Sequence, residues 1–114
     1  MARTPYDFTD MIAAEYRNAV TKHPKFCDEF TAFDLNTAMA GEISSKYANS
    51  KGPYQADLLL QEELWEASTA YLKGDKEHCL QELAQCGAVI LRMMEFVQNE
   101  IDLEPKKPFP VEEP

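Results

Sequence analysis

The stretch from Leu58 to Val97 (LLLQEELWEASTAYLKGDKEHCLQELAQCGAVILRMMEFV) constrains this chain more than any other, because it puts carboxylates where a helix needs apolar side chains. It predicts two long helices joined by a hairpin at Gly74-Asp75. At 100° per residue from Leu58, Leu60, Leu64, Ala67 and Tyr71 fall between about 180° and 240°. Leu59 and Ala70 fall near 100–120°, and Glu63 lands at about 140°, between these two groups. Glu66 lies one turn along, at the edge of the same stripe. Counted from His78, the second apolar arc holds Cys79, Leu83, Cys86, Val89, Ile90, Met93, Phe96 and Val97, and Glu82 lands at about 40°, between Val89 and Met93.

Carboxylates in that position need a partner. An unpaired charge in an apolar setting costs several kcal/mol or more, so such a group protonates, pairs with a base or binds a metal. Glu63, Glu66 and Glu82 converge on one interhelical space, and these helices carry few basic residues. A divalent cation is the simplest common partner. The competing expectation is that this EExxE run is a solvated helix face, as such runs usually are.

The rest of the chain predicts an all-α domain over residues 1–103. Thr4, Pro5 and Asp7 form a helix start, with Thr4 as N-cap, Pro5 at the first position and Asp7 closing a capping box. Phe8, Ile12, Tyr16, Ala19 and Val20 continue on one side up to His23-Pro24. His23 is read as a C-terminal residue near free carbonyls. Lys25–Phe33 (KFCDEFTAF) reads as a loop packed on the bundle. A second helix is expected from Asp34 to Ala48 with Leu35, Ala38, Met39, Ile43 and Tyr47 on its inner face, and with Glu42, a further acidic candidate or a paired glutamate, in that stripe. Asn49–Pro53 (NSKGP) is a loop. The third helix is expected over Tyr54–Lys73 and the fourth from Asp75, its N-cap, to Ile101. His78 reads as a surface histidine beside Asp75. Residues 104–114, EPKKPFPVEEP, hold four of the chain's seven prolines and are expected to be an extended tail, with Phe109 available to dock across a neighbouring subunit. With so few helices and so many apolar faces, a homodimer is expected to complete the bundle.

Charge and cysteine usage narrow the function further. Twenty acidic and eleven basic residues give a formal charge of −9, which argues against direct grip on a nucleic-acid backbone. A free nucleotide stays open, because a bound cation reverses the local field. No apolar run is long enough to span a bilayer and the N-terminus lacks a signal-peptide pattern, so a cytoplasmic protein without membrane contact is expected. Three cysteines, an odd number, argue against a disulfide framework. Cys79 and Cys86, about 10 Å apart by helical rise, read as small core residues.

Glu63-Leu-Trp-Glu66, an intervening fifteen residues and Glu82-Leu-Ala-Gln85, with LLLQEELWEA, the YLKGD turn and ELAQCGAVILRM around them, resemble the MazG-like all-α nucleoside triphosphate pyrophosphohydrolases. The likeness is to the phage-type and small bacterial members, and it covers roughly Tyr54 to Val97. The signature of that superfamily is ExxE and then ExxD on two antiparallel helices. The resemblance implies a four-helix MazG-like bundle, Mg2+ (or Mn2+) as cofactor, and hydrolysis of a nucleoside triphosphate to the monophosphate and pyrophosphate. It assigns Glu63, Glu66 and Glu82 as metal ligands. Gln85 replaces the aspartate: its carbonyl can coordinate a cation but adds no charge. Glu62 is the candidate general base, or a group supporting the ligands from behind. Lys73 and Arg92, with Lys46 and Lys51, are candidate phosphate contacts, and Trp65 is placed either to stack a base or to meet a second subunit. Three other readings compete. One is a degenerate, non-catalytic nucleotide or metal binder, which Gln85 favours. Another is a helical protein-interaction module, favoured by Met93, Met94 and Phe96. The last, a di-iron protein, would need ExxH on two helices, and the chain offers only Asp75-Lys-Glu-His78.

Overall fold

The computed structural model describes residues 3–105, and these form four helices and no strand. They are α1 (Pro5–Lys22), α2 (Leu35–Lys51), α3 (Ala56–Leu72) and α4 (Lys76–Leu103). The expected tail lies, from residue 106 and so including Phe109, outside the described residues.

Local chemistry sets each boundary. The Asp7 N–H donates to the Thr4 hydroxyl while the Asp7 carboxylate accepts from the Thr4 N–H at 2.7 Å, the reciprocal capping box that starts α1. At its end the backbone N–H of His23 donates to Ala19 O, ahead of Pro24. Asp34 caps α2 by accepting from the Thr37 N–H at 2.8 Å. This helix runs three residues past the expected Ala48, because the chain does not leave helical geometry until Gly52, at φ +61°. Helix α3 starts two residues after Tyr54 and ends in a Schellman turn: Gly74, at φ +83°, donates to Tyr71 O, and Asp75 donates to Ala70 O. Only a residue without Cβ adopts that φ cheaply. Asp75 then caps α4 through the His78 N–H, so α3 turns straight back into α4.

The helices lie in the spatial order α2, α3, α4, α1, and no other pair packs backbone to backbone. This is an open row. The core between α3 and α4 is made of Ala67, Ala70 and Cys79, with Phe30 and Leu83 against it. The 23–34 connection lies on α3 as expected: Phe30 stacks on Tyr71 with ring centroids 4.5 Å apart, and Phe33 tilts against Trp65 at 5.0 Å. All three cysteines are free, with Cys79 and Cys86 buried and Cys27 exposed.

Helix α2 departs from its sequence reading. Ala38, Ser45 and Asn49 form its buried face, whereas Ile43 and Tyr47 are 68% and 66% exposed. The reason is size. Trp65 lies flat on Gly41, so closely that a Cβ there would come within 2.4 Å of the indole ring. Only small side chains leave room for that approach. Of the expected stripe, Ala38 is buried and Leu35 half-buried, while Met39, Ile43 and Tyr47 are turned outward.

Candidate metal centre

Glu62, Glu63 and Glu66 sit within one turn of α3, and one carboxylate oxygen from each lies within 4.8 Å of the others. Helix α4 brings Glu82 up to them. Its side chain is only 8% exposed and lies against those of Glu66 and Glu63. His78, one turn earlier, meets Glu82 Oε1 through Nε2 at 2.9 Å. This pairing requires the Nε2-protonated ring against a carboxylate. Helix α2 adds Lys46, whose Nζ lies 3.0 Å from Glu42 Oε1 and 3.5 Å from Glu66 Oε1. Asn49, buried on α2, donates from its amide to Glu62 Oε1 at 3.0 Å and to Leu58 O at 3.2 Å, which fixes the Glu62 side chain against the helix pair.

The side chains surround a recess of about 280 Å³ lined by Glu42, Lys46, Glu66, Thr69, Lys73, His78 and Glu82. Its polar atoms are incompletely paired. Glu82 Oε2 and Thr69 Oγ1 of its lining, and Glu63 Oε2 outside it, are buried without a hydrogen-bond partner. An unsatisfied buried oxygen costs about 1–3 kcal/mol, and more when charged.

Electrostatics tell the same story. Burial, together with the hydrogen bond to Glu82 and the charge of Glu63, pushes the Glu66 carboxyl up to about 7. Burial and Glu82 raise Glu63 as well. Burial also acts to raise Glu82, but the hydrogen bonds from Glu66, His78 and Glu63 outweigh it and hold this carboxyl below its ordinary range. The carboxyls therefore share protons, with Glu82 as the ionised acceptor. The carboxylate cluster of Glu62, Glu63 and Glu66 could hold a metal ion.

The candidates read from sequence separate in space. Glu62, Glu63, Glu66 and Glu82 come together, and Lys73 lines the same recess. Gln85 is exposed and lines none of it. Arg92 lies beside a different cleft, with Tyr54, Asp57 and Phe96. Trp65 faces Gly41, Phe33 and an aromatic hollow that also includes Phe26 and Leu64. Lys51 reaches over the Tyr47 ring at 5.3 Å. Sequence reasoning placed His78 on the surface beside Asp75, where it lies, but missed its contact with Glu82 and left Asn49 and Thr69 unnoticed. His78 was the findable one: it stands four residues before Glu82, the spacing that stacks two side chains on one helix face. Asn49 and Thr69 carried no such signal, because their partners lie on other segments.

No helix among the described residues is long and apolar enough to cross a membrane. Comparison with protein-family models, with curated proteins and with solved structures gives no match to this chain, so any kinship rests on the motif and its geometry.

Proposed function

We propose that this recess binds Mg2+, with Mn2+ as a substitute, and that the protein hydrolyses nucleoside triphosphates to monophosphate and pyrophosphate. One observation carries the reading: Glu82 is almost wholly buried among two other carboxyls and keeps an oxygen with no partner. A folded protein tolerates that cost where function requires the charge. Glu63, Glu66 and Glu82 hold the cation. When bound, it supplies neutralisation of the triphosphate and polarises the phosphoryl group under attack. Glu62, steadied by Asn49, is placed to take the proton of the attacking water. Lys73, His78 and Lys46 stand round the mouth, where the phosphate oxygens enter.

A homodimer belongs to the same reading. Among the described residues Phe8 is the one large apolar side chain with essentially no exposure. Phe96, Val97 and Ile101 on α4 lie open, as do Ile43 and Tyr47 on α2. A second copy laid on the open row supplies the missing half of the core.

The test is pyrophosphate release from a panel of NTPs and dNTPs, first with Mg2+ and then with Mn2+, beside Glu82→Ala and Gln85→Asp. Turnover that vanishes in Glu82→Ala supports the enzyme. The second reading, a metal- or nucleotide-binding protein without turnover, is favoured by Gln85 standing exposed where the superfamily signature has aspartate. A silent parent revived by Gln85→Asp selects it. Silence in both, with no rise in melting temperature on adding metal, removes the catalytic and the metal-binding readings together.

A further inference from the structure

We infer that Lys46 is an exchangeable cation of this recess: its ammonium occupies the acidic mouth until a divalent cation enters, then turns outward as a binding group for polyphosphate. The inference rests on the metal-binding reading above and adds a role for a residue on a helix outside the ExxE–ExxQ pair.

Three features of the geometry carry it. First, among the described residues Lys46 is the only lysine or arginine within ion-pair distance of a carboxylate in the recess, spanning Glu42 at 3.0 Å and Glu66 at 3.5 Å. Second, that single ammonium does not complete the site. Glu82 Oε2, nine-tenths buried and lining the recess, still has no partner, and neither does Glu63 Oε2. A lysine at the mouth compensates the outer carboxylate and leaves the inner oxygens for a smaller, more highly charged ion. Third, Lys46 is free to leave. Its side chain is 53% exposed, and Glu42, one turn away on the same helix, holds it at the entrance after Glu66 is released. In that position it stands beside Lys73 and His78, which line the same recess. The two ammonium groups, Lys46 and Lys73, round one mouth suit the oxygens of a di- or triphosphate.

A residue that competes with metal and also assists phosphate must affect the two ligands in opposite directions when removed. A residue that merely supports the fold would weaken both. The experiment measures Mn2+ binding by electron paramagnetic resonance at fixed ionic strength, without nucleotide, for the parent, Lys46→Gln and Lys46→Arg. Inorganic pyrophosphate binding at saturating Mn2+ follows for the same proteins. Lys46→Gln is expected to bind Mn2+ about fivefold more tightly, the scale of a partly exposed ion pair, and pyrophosphate about tenfold more weakly. Lys46→Arg keeps the charge and is expected to stay near the parent on both counts. Mn2+ binding by the parent that Lys46→Gln leaves unchanged or weakens overturns the exchange and spares the metal centre. Absence of Mn2+ binding in both parent and variant overturns the metal centre, and the exchange with it.

Discussion

Glu66→Gln turns the strain of the acidic recess into a number. The parent carboxyl is displaced from 4.5 to about 7, chiefly by burial and then by Glu82 and Glu63. Such a displacement is worth at most about 3 kcal/mol. Between those two values an unfolded chain has released the Glu66 proton while the folded chain retains it. The folded state then holds more protons, so stability falls as pH rises through this window. The contribution is fully present below about 4.5 and gone above about 7. Glu82, held low, acts in the opposite sense, and solvent reaches the recess, so about 1–2 kcal/mol is the expected residue. A glutamine amide is shaped like the protonated acid and donates to Glu82 without the cost of ionisation. It gives up the Lys46 pair, worth at most about 1 kcal/mol at an exposed site. Urea titrations in EDTA at pH 4 and pH 8, at equal protein concentration, read the difference. Glu66→Gln should lie close to the parent at pH 4 and exceed it by about 1 kcal/mol at pH 8. Adding Mn2+ at pH 8 should raise the parent's midpoint well above its own value and move the variant far less. A variant no more stable than the parent at pH 8, or a pH dependence identical in the two, would refute the argument that Glu66 is strained by its neighbours.

Other sites give shorter tests. Gly41→Ala adds a methyl where Trp65 already sits at 2.4 Å, and the rigid indole cannot fold away. The expected loss is about 1–3 kcal/mol in urea denaturation, despite alanine's higher helix propensity, and a neutral or stabilising result would mean α2 packs elsewhere. Asn49→Leu removes the donor to Glu62 and to Leu58 O. It should cost about 1–2 kcal/mol in the same assay and lower turnover, whereas unchanged turnover would rule out a positioned Glu62. Val97→Glu puts a charge on the open α4 face. Sedimentation should show its dimer weakened at least tenfold, and a parent that sediments as a monomer would end the dimer reading.

How far the chain could be read depends on where each signal lives. The α3–α4 hairpin was legible because its information is local: capping by Asp75, the turn at Gly74, and a period that put Glu82 on the buried side. The glutamates on α3 were legible for the same reason. Helix α2 was read correctly at Ala38 and misread at Ile43 and Tyr47, because apolar spacing favoured these two over Gly41 and Ser45. Burial there was decided by one indole on another helix. Periodicity reports which face is apolar, and α2 has an apolar face and a packed face that differ. Asn49 belongs to that packed face, so its part in the site was hidden along with it, while Lys46 was named as a phosphate contact but its pairing with Glu66 carried no local signal.

The misreading of α2 bears on what the recess is for. A helix chosen only for stability would lay Ile43 and Tyr47 on α3, since apolar burial is the dominant favourable term in folding. This helix instead turns Gly41, Ser45 and Asn49 inward, and Gly41, Asn49 and Lys46 meet Trp65, Glu62 and Glu66. Its apolar side is left for another surface. The same exchange occurs on α4, where Glu82 takes a buried position while Phe96 and Val97 lie open. In both helices the interior is given to polar groups that are only partly satisfied, and the apolar residues that could have stabilised a lone chain face outward. The two observations explain each other if the recess carries the activity and the outward faces meet a second copy. Burial lost around the carboxylates is then recovered at the interface, and weakening the dimer should loosen the recess as well.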